Sequence, residues 1–145
     1  MAVITIVGAG MMGSALAYPA RENTVRIVGT HLDRDIISYC IKNNRHPKFD
    51  RDFPAGMEFY KIEEFAKALN GTNVVIGGAN SFGVDWFGEK VLSAIPDHTL
   101  VLTVTKGFID TADGKLLTYL DVWKKKLYEM KKIYILNTAA IAPPF

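Results

Sequence analysis

A single cysteine, Cys40, stands among 145 residues, so the chain can form no internal disulfide and suits a reducing cytoplasm. Net charge is also scarce: at +2 it is too small to argue for nucleic acid as a partner. The basic clusters Lys124-Lys-Lys126 and Lys131-Lys132 read as the wet face and the C-terminal end of a helix, where cations suit the dipole. No apolar run is long enough to span a membrane, and the apolar start lacks a basic leader and meets glycines too early for an export segment. Internal repeats, low-complexity stretches, an interdomain linker, a P-loop and a Ser-His-Asp pattern are all missing. His46 and His98 sit in polar loops with no paired carboxylate or cysteine spacing, so neither is assigned to a metal. What remains is 49% apolar and 22% charged, the balance of one soluble globular domain long enough to bury a core.

The most informative stretch is the first. Ala2-Val-Ile-Thr-Ile-Val7 is a short β-branched run suited to a buried parallel strand. It breaks into Gly8-Ala-Gly10-Met-Met-Gly13, followed by good helix formers. In a strand–turn–helix of this kind the first glycine makes the tight turn and the second admits a pyrophosphate against the backbone. The third lets helix and strand pack closely. N–H groups at the helix start then face the phosphates. Residues 8–13 are therefore read as a dinucleotide-binding turn, the alternative being an ordinary strand-to-helix turn rich in small residues.

Strands are further expected at residues 24–28, 57–60, 73–76, 99–104 and 133–136. Helices are expected at residues 11–22, with Pro19 loosening the last turn, at 33–44, 62–69 and 84–95, and at 115–130 with an apolar stripe from Leu116 to Met130. Residues 45–56 read as loop and residues 137–145 as an irregular tail. Alternation of strand and helix implies an α/β fold, a doubly wound, mainly parallel Rossmann-type sheet with right-handed crossovers. Its ligand crevice should lie at the carboxyl ends of the strands. The segments Gly8–Gly13, Gly77–Ser81 and Thr105–Gly107 all fall at such ends.

An acidic residue about 20 positions past the glycines would read the adenosine ribose and favour NAD. Asp33 can play that part or cap the next helix, the commoner role, while His31 or Arg34 could tolerate a 2′-phosphate. NAD and NADP both stay open. Lys106 can place a cation in the crevice to hold a phosphate or polarise a carbonyl, or be a surface lysine at a turn. Asn80 and Ser81 can bond a ribose or nicotinamide amide, or only shape their turn. Cys40 lies on an apolar helix face and reads as inert core.

The order of these features resembles the N-terminal domain of NAD(P)-dependent glycerol-3-phosphate dehydrogenases through almost the whole chain. The similarity is carried by Val7-Gly-Ala-Gly-Met-Met-Gly-Ser-Ala-Leu16, Val25-Arg-Ile-Val-Gly-Thr30, Asn44-Arg-His-Pro47 and Ala68-Leu-Asn-Gly-Thr-Asn-Val-Val75. Its most specific piece is Thr105-Lys-Gly107 followed by Gly114-Lys-Leu-Leu117. The resemblance implies hydride transfer between dihydroxyacetone phosphate and sn-glycerol 3-phosphate, with Lys106 as the catalytic residue of this domain. Gly8, Ala9, Gly10, Met11, Met12, Gly13, Thr30, Asn80 and Ser81 would bind NAD or NADP. Thr138-Ala139 stands where the family has Gly-Pro, and Pro143-Pro144-Phe145 follows Ala142 where it has Arg-Glu. The resemblance also implies a helical C-terminal substrate domain, expected to be absent from residues 1–145, and so a chain that binds nucleotide weakly and turns over slowly or not at all. The sheet would lack the family's last strands and expose an edge through which copies could associate. Two other readings are a stand-alone nucleotide-binding or sensing module and the cofactor domain of another β-hydroxyacid or ketopantoate-type reductase.

Overall fold

Val7, Val28, Tyr60, Gly77 and Thr103 stand level across one sheet, each paired in register with its neighbour. They close five parallel strands in the order β3-β2-β1-β4-β5: β1 Val3–Val7, β2 Thr24–Val28, β3 Glu58–Tyr60, β4 Val74–Gly77 and β5 Leu100–Thr103. The computed structural model from which this follows describes residues 1–97 and 99–129. The strand expected at residues 133–136, the tail from Asn137, the Lys131-Lys132 pair, Met130 and His98 lie outside the described residues.

Alternation along the strands sends side chains to opposite faces. Ile6, Ile27 and Ile76 enter one buried cluster with Val25, Ile37, Cys40 and Phe53. Val7, Val28 and Val75 enter the other with Phe87, Leu92, Leu120, Trp123 and Leu127. The chain runs outward from β1 to β2 and β3, then crosses back to β4 and β5 on the other side, so the order reverses between β1 and β4. That is the topological switch point, where a doubly wound sheet opens a crevice.

The first helix is much shorter than expected. α1 covers Met11–Ala15 only, and residues 16–22 are turns. Pro19 lacks an N–H, and its ring would clash with the Ala15 carbonyl in a continued helix. The chain instead tightens through bonds from Leu16 N–H to Gly13, Ala17 N–H to Ser14 and Tyr18 N–H to Ala15. α2 spans Arg34–Asn43 and ends on Asn44 in the left-handed region. After β3 a 3₁₀ turn, Ile62–Glu64, leads into α3, Phe65–Leu69.

The segment expected as one helix at residues 84–95 is broken: a 3₁₀ turn Ser81–Gly83, α4 Val84–Trp86, a π-turn Phe87–Val91 and α5 Leu92–Ala94. Trp123 lies across it. Its ring stacks on Phe87 with centroids 4.7 Å apart, and its indole Nε1–H donates to the Val84 carbonyl at 3.1 Å. The ring passes so close over Gly88 that a Cβ there would stand 3.1 Å from Trp123 Cδ1.

The helix expected from residue 115 begins later, as α6 Tyr119–Glu129. Leu116 and Leu117 belong instead to an antiparallel hairpin of β6 Phe108–Asp110 and β7 Leu116–Thr118. Gly114, at φ +75°, turns the chain between them. Asp121 fixes the start of α6, accepting from the Thr118 N–H at 3.0 Å and from the Thr118 hydroxyl at 2.6 Å. Cys40 is buried as expected, and burial pushes its thiol up to about 11, so it is not a nucleophile at neutral pH.

Trp123→Ala should cost about 3–5 kcal/mol of stability, by removing a large buried ring and opening a cavity over Gly88. Trp123→Phe should cost less, because it keeps an aromatic face against Phe87. Urea denaturation reads both, and an unchanged midpoint for Trp123→Ala would show that α6 does not dock there.

Candidate functional site

The turn after β1 is built by three glycines in mutual contact. Gly8 has φ +108°, and a Cβ on it would stand 3.1 Å from the Gly78 carbonyl carbon. A Cβ on Gly13 would stand 2.7 Å from the Gly8 carbonyl oxygen, and one on Gly78 3.1 Å from the Gly13 Cα. The β1 turn, α1 and the β4 turn can therefore meet only without side chains. Backbone bonds hold the approach: Gly8 N–H donates to Val28 at 2.9 Å, and Gly78 N–H donates to Val7 at 2.8 Å. Gly10 is different. A Cβ there would meet nothing within 4 Å, so its face is open space.

Between Gly8 and Gly10 the Ala9 peptide is held from both sides. Its N–H donates to Asp33 Oδ2 at 3.1 Å. The same carboxylate oxygen accepts from the Thr30 N–H at 2.9 Å and the Thr30 hydroxyl at 2.7 Å. Asp33 stands at the N-cap position of α2, as expected, but its side chain makes no cap bond. It is spent on joining the β1 and β2 turns. The Ala9 carbonyl meets His46 Nε2 at 3.1 Å. His46 is not the solvated loop residue that its polar neighbours suggest. It is 1% exposed, with its ring 4.5 Å from that of Phe49.

Two clefts open on this framework. One, of about 280 Å³, is lined by Gly8, Gly10, Thr30, Leu32, Phe82 and Trp86, with His31 edge-on to Trp86. Phe82, 94% exposed, stands at its rim. The other, of about 400 Å³, is lined by Gly10, Met11, Met12, Asn80, Ser81 and Lys106. Gly10, Gly78, Ala79 and Asn80 belong to both, so the clefts adjoin across the switch point.

Lys106 reaches the second cleft on an anchored loop. The Thr105 hydroxyl donates to the Ala79 carbonyl at 2.6 Å, and the Thr105 N–H donates to the Thr103 hydroxyl at 3.1 Å. Gly107 follows at φ +133°, so close beneath Tyr119 that a Cβ would stand 2.8 Å from the ring. The loop after β5 is thereby pinned to the loop after β4 on one side and to α6 on the other.

Of the residues singled out from sequence, Gly8, Gly10, Thr30 and Asn80 line the first cleft, and Met11, Met12, Ser81 and Lys106 join Gly10 and Asn80 in the second. Ala9 and Gly13 are buried behind them. Asn80 uses its side-chain oxygen to accept from the Phe82 N–H at 3.1 Å, which shapes its own turn. Arg34 pairs with Glu63 on the surface. Sequence reasoning missed the clamping roles of Asp33 and His46, the anchor at Thr105 and the aromatic rim at Phe82. Thr105 carried a signal in the Thr-Lys-Gly segment, His46 in Asn44-Arg-His-Pro47 and Asp33 in its place past the glycines, but none of these signals pointed to a clamp or an anchor, and Phe82 carried none.

Residues 3–143 match the family described as NAD-dependent glycerol-3-phosphate dehydrogenase N-terminus. An NADP(+)-dependent glycerol-3-phosphate dehydrogenase from Archaeoglobus fulgidus is 32% identical over 144 residues, covering 98% of this chain and 41% of the relative. Among solved structures, glycerol-3-phosphate dehydrogenase from Coxiella burnetii superposes with a TM-score of 0.70 at 15% identity, over 94% of this chain and 40% of that one. The Saccharomyces cerevisiae enzyme does so with a TM-score of 0.73 at 10% identity, over 94% and 41%. At those identities the two structures speak for the fold alone. The chain thus spans about two fifths of the length of the Archaeoglobus relative. On the match across residues 3–143, the chain belongs to the family of glycerol-3-phosphate dehydrogenase N-terminal, NAD-binding domains.

Proposed function

We propose that this chain binds NAD or NADP across the two adjoining clefts, as the cofactor half of an enzyme interconverting dihydroxyacetone phosphate and sn-glycerol 3-phosphate. The observation that carries the reading is the bare face of Gly10, open where both clefts meet at the β1/β4 switch point. A pyrophosphate needs such a place, because its oxygens must come within hydrogen-bonding distance of backbone N–H groups. The first cleft, with its apolar and aromatic walls at Leu32, Phe82 and Trp86, suits a purine and its ribose. The second suits the nicotinamide end, beside Lys106.

The bound dinucleotide would supply or accept the hydride. The chain's own residues bind and orient. Gly8, Gly10 and the first turn of α1 receive the pyrophosphate, Thr30 lines the ribose end, and Asn80 and Ser81 border the nicotinamide end. Lys106 would hold the substrate phosphate or polarise its carbonyl, with Thr105 and Gly107 fixing where its chain starts. The remaining substrate contacts and the proton donor are proposed to come from a helical substrate domain, so that turnover by residues 1–145 alone is slow or nil. One cysteine, buried and unpaired, supports a cytoplasmic setting. No helix among the described residues is long and apolar enough to cross a membrane.

Two glycines separate binding from folding. Gly10→Val should leave the thermal midpoint nearly unchanged, because its Cβ enters open space, yet weaken NADH and NADPH by about tenfold or more, equivalent to ~1.4 kcal/mol. Gly13→Ala should instead destabilise the fold by about 1–3 kcal/mol, since its methyl would meet backbone. Fluorescence titration and thermal melts measure both. Millimolar NADH and NADPH that fail to bind the unmodified chain would refute the proposal.

Lys106→Ala should leave dinucleotide affinity within about twofold while abolishing any response of bound NADH fluorescence to dihydroxyacetone phosphate. A response that persists in the variant would remove Lys106 from the substrate site.

A further inference from the structure

His46 and Asp33 hold the Ala9 peptide in one orientation from opposite ends, and only one protonation state of His46 permits it. The Ala9 carbonyl can only accept, so His46 Nε2 must donate to it. The Lys48 N–H can only donate, so Nδ1, 3.1 Å away, must accept from it. The ring is therefore neutral with its proton on Nε2. Protonation would turn Nδ1 into a second donor facing the Lys48 N–H, breaking that bond inside a site 1% exposed.

Resting on the dinucleotide reading above, we infer that His46 is a positioning residue for the pyrophosphate cradle. It fixes the Ala9 peptide against Asp33 and thereby sets the aim of the Gly8 and Gly10 backbone, so that dinucleotide affinity depends on neutral His46. It touches no ligand and acts through Ala9. Pre-setting the cradle matters because a loop ordered only on binding spends part of the interaction energy on its own ordering. Without His46 the buried Ala9 carbonyl would lose its partner, which favours a turned peptide.

The charged groups acting on the ring are Asp33, from the start of α2, and Lys48, from its own loop. Desolvation is the largest influence and holds the imidazole below its ordinary value, with Lys48 adding to the effect while the Ala9 bond and Asp33 oppose it. The unfolded chain consequently takes up the proton first. Stability from this site is complete above the ordinary histidine value, falls as the pH drops through it, and levels off below the native-state value.

The test uses the whole chain. Relative to the unmodified protein, His46→Leu should weaken NADH about tenfold or more and speed amide exchange at Ala9 and Gly10. His46→Gln, whose side-chain amide can still donate to Ala9, should recover affinity to within about threefold. Because His31 lines the cleft, pH profiles are compared in a His31→Gln background. There, NADH affinity should hold at neutral pH and fall as the pH drops below the ordinary histidine value with His46 present, and stay flat with His46→Gln. If His46→Leu proves too unstable, the His46→Gln profile alone decides. Equal affinity of a folded His46→Leu, or matching pH profiles with and without His46, overturns the inference and leaves the dinucleotide reading standing. No NADH binding by the unmodified chain overturns both.

Discussion

Everything at the site depends on how closely the turn after β1 can approach the turn after β4. These strands are neighbours, so their exits compete for the same space. Gly8, Gly13 and Gly78 resolve the competition by presenting no side chains, with any added Cβ falling about 3 Å from backbone of another segment. Backbone atoms cannot retreat as a flexible side chain can, so the constraint is strict. Register does the rest. Because Val7, Val28 and Gly77 end level, the three turns start from one plane, and small loops suffice to bring them together.

Close approach alone would leave polar backbone buried without partners, a costly state. The Ala9 peptide shows how that cost is met. Its N–H is satisfied by a carboxylate that also gathers Thr30, and its carbonyl by an imidazole otherwise packed on Phe49. The partners are polar side chains drawn from distant parts of the chain into a mostly apolar layer. This explains why the segment around His46, although it lies in a long loop, is part of the core and not a surface excursion.

What could be read from sequence was whatever is local. β2 was legible to the residue, because a β-branched run ended by Gly29 has few other solutions. The glycine turn was legible because the positive φ of Gly8 and the approach of Gly13 to the Gly8 carbonyl arise within one strand–turn–helix unit, whereas the contact of both with Gly78 does not. The length of α1 was not, since propensity continues past Ala15 and only the reach of the Pro19 ring back toward that carbonyl stops it. Leu116 and Leu117 continue the helical spacing of Leu120, Trp123 and Leu127, and that coincidence hid the hairpin that the Asp113-Gly114 turn imposes. The clamp on Ala9 joins residues 24 and 37 positions apart, and no periodicity records such a bond.

The same logic places Lys106 relative to the glycine turn. Gly78 touches Gly8 and Gly13, and the next residue, Ala79, offers its carbonyl to the Thr105 hydroxyl one residue before Lys106. The path from the Ala9 peptide to the lysine thus runs through the β4 turn in a few rigid steps, all backbone contact or short hydrogen bond. Both clefts share that turn as a wall. The wall fixes the separation between the glycine turn and the start of the Lys106 side chain. A hydride donor and acceptor must be brought to a near-attack distance, and misplacement on the order of 1 Å is costly. A shared backbone wall controls such a distance better than two loops that move independently, and on the proposed function that would be the physical reason for a lysine directly after Thr105.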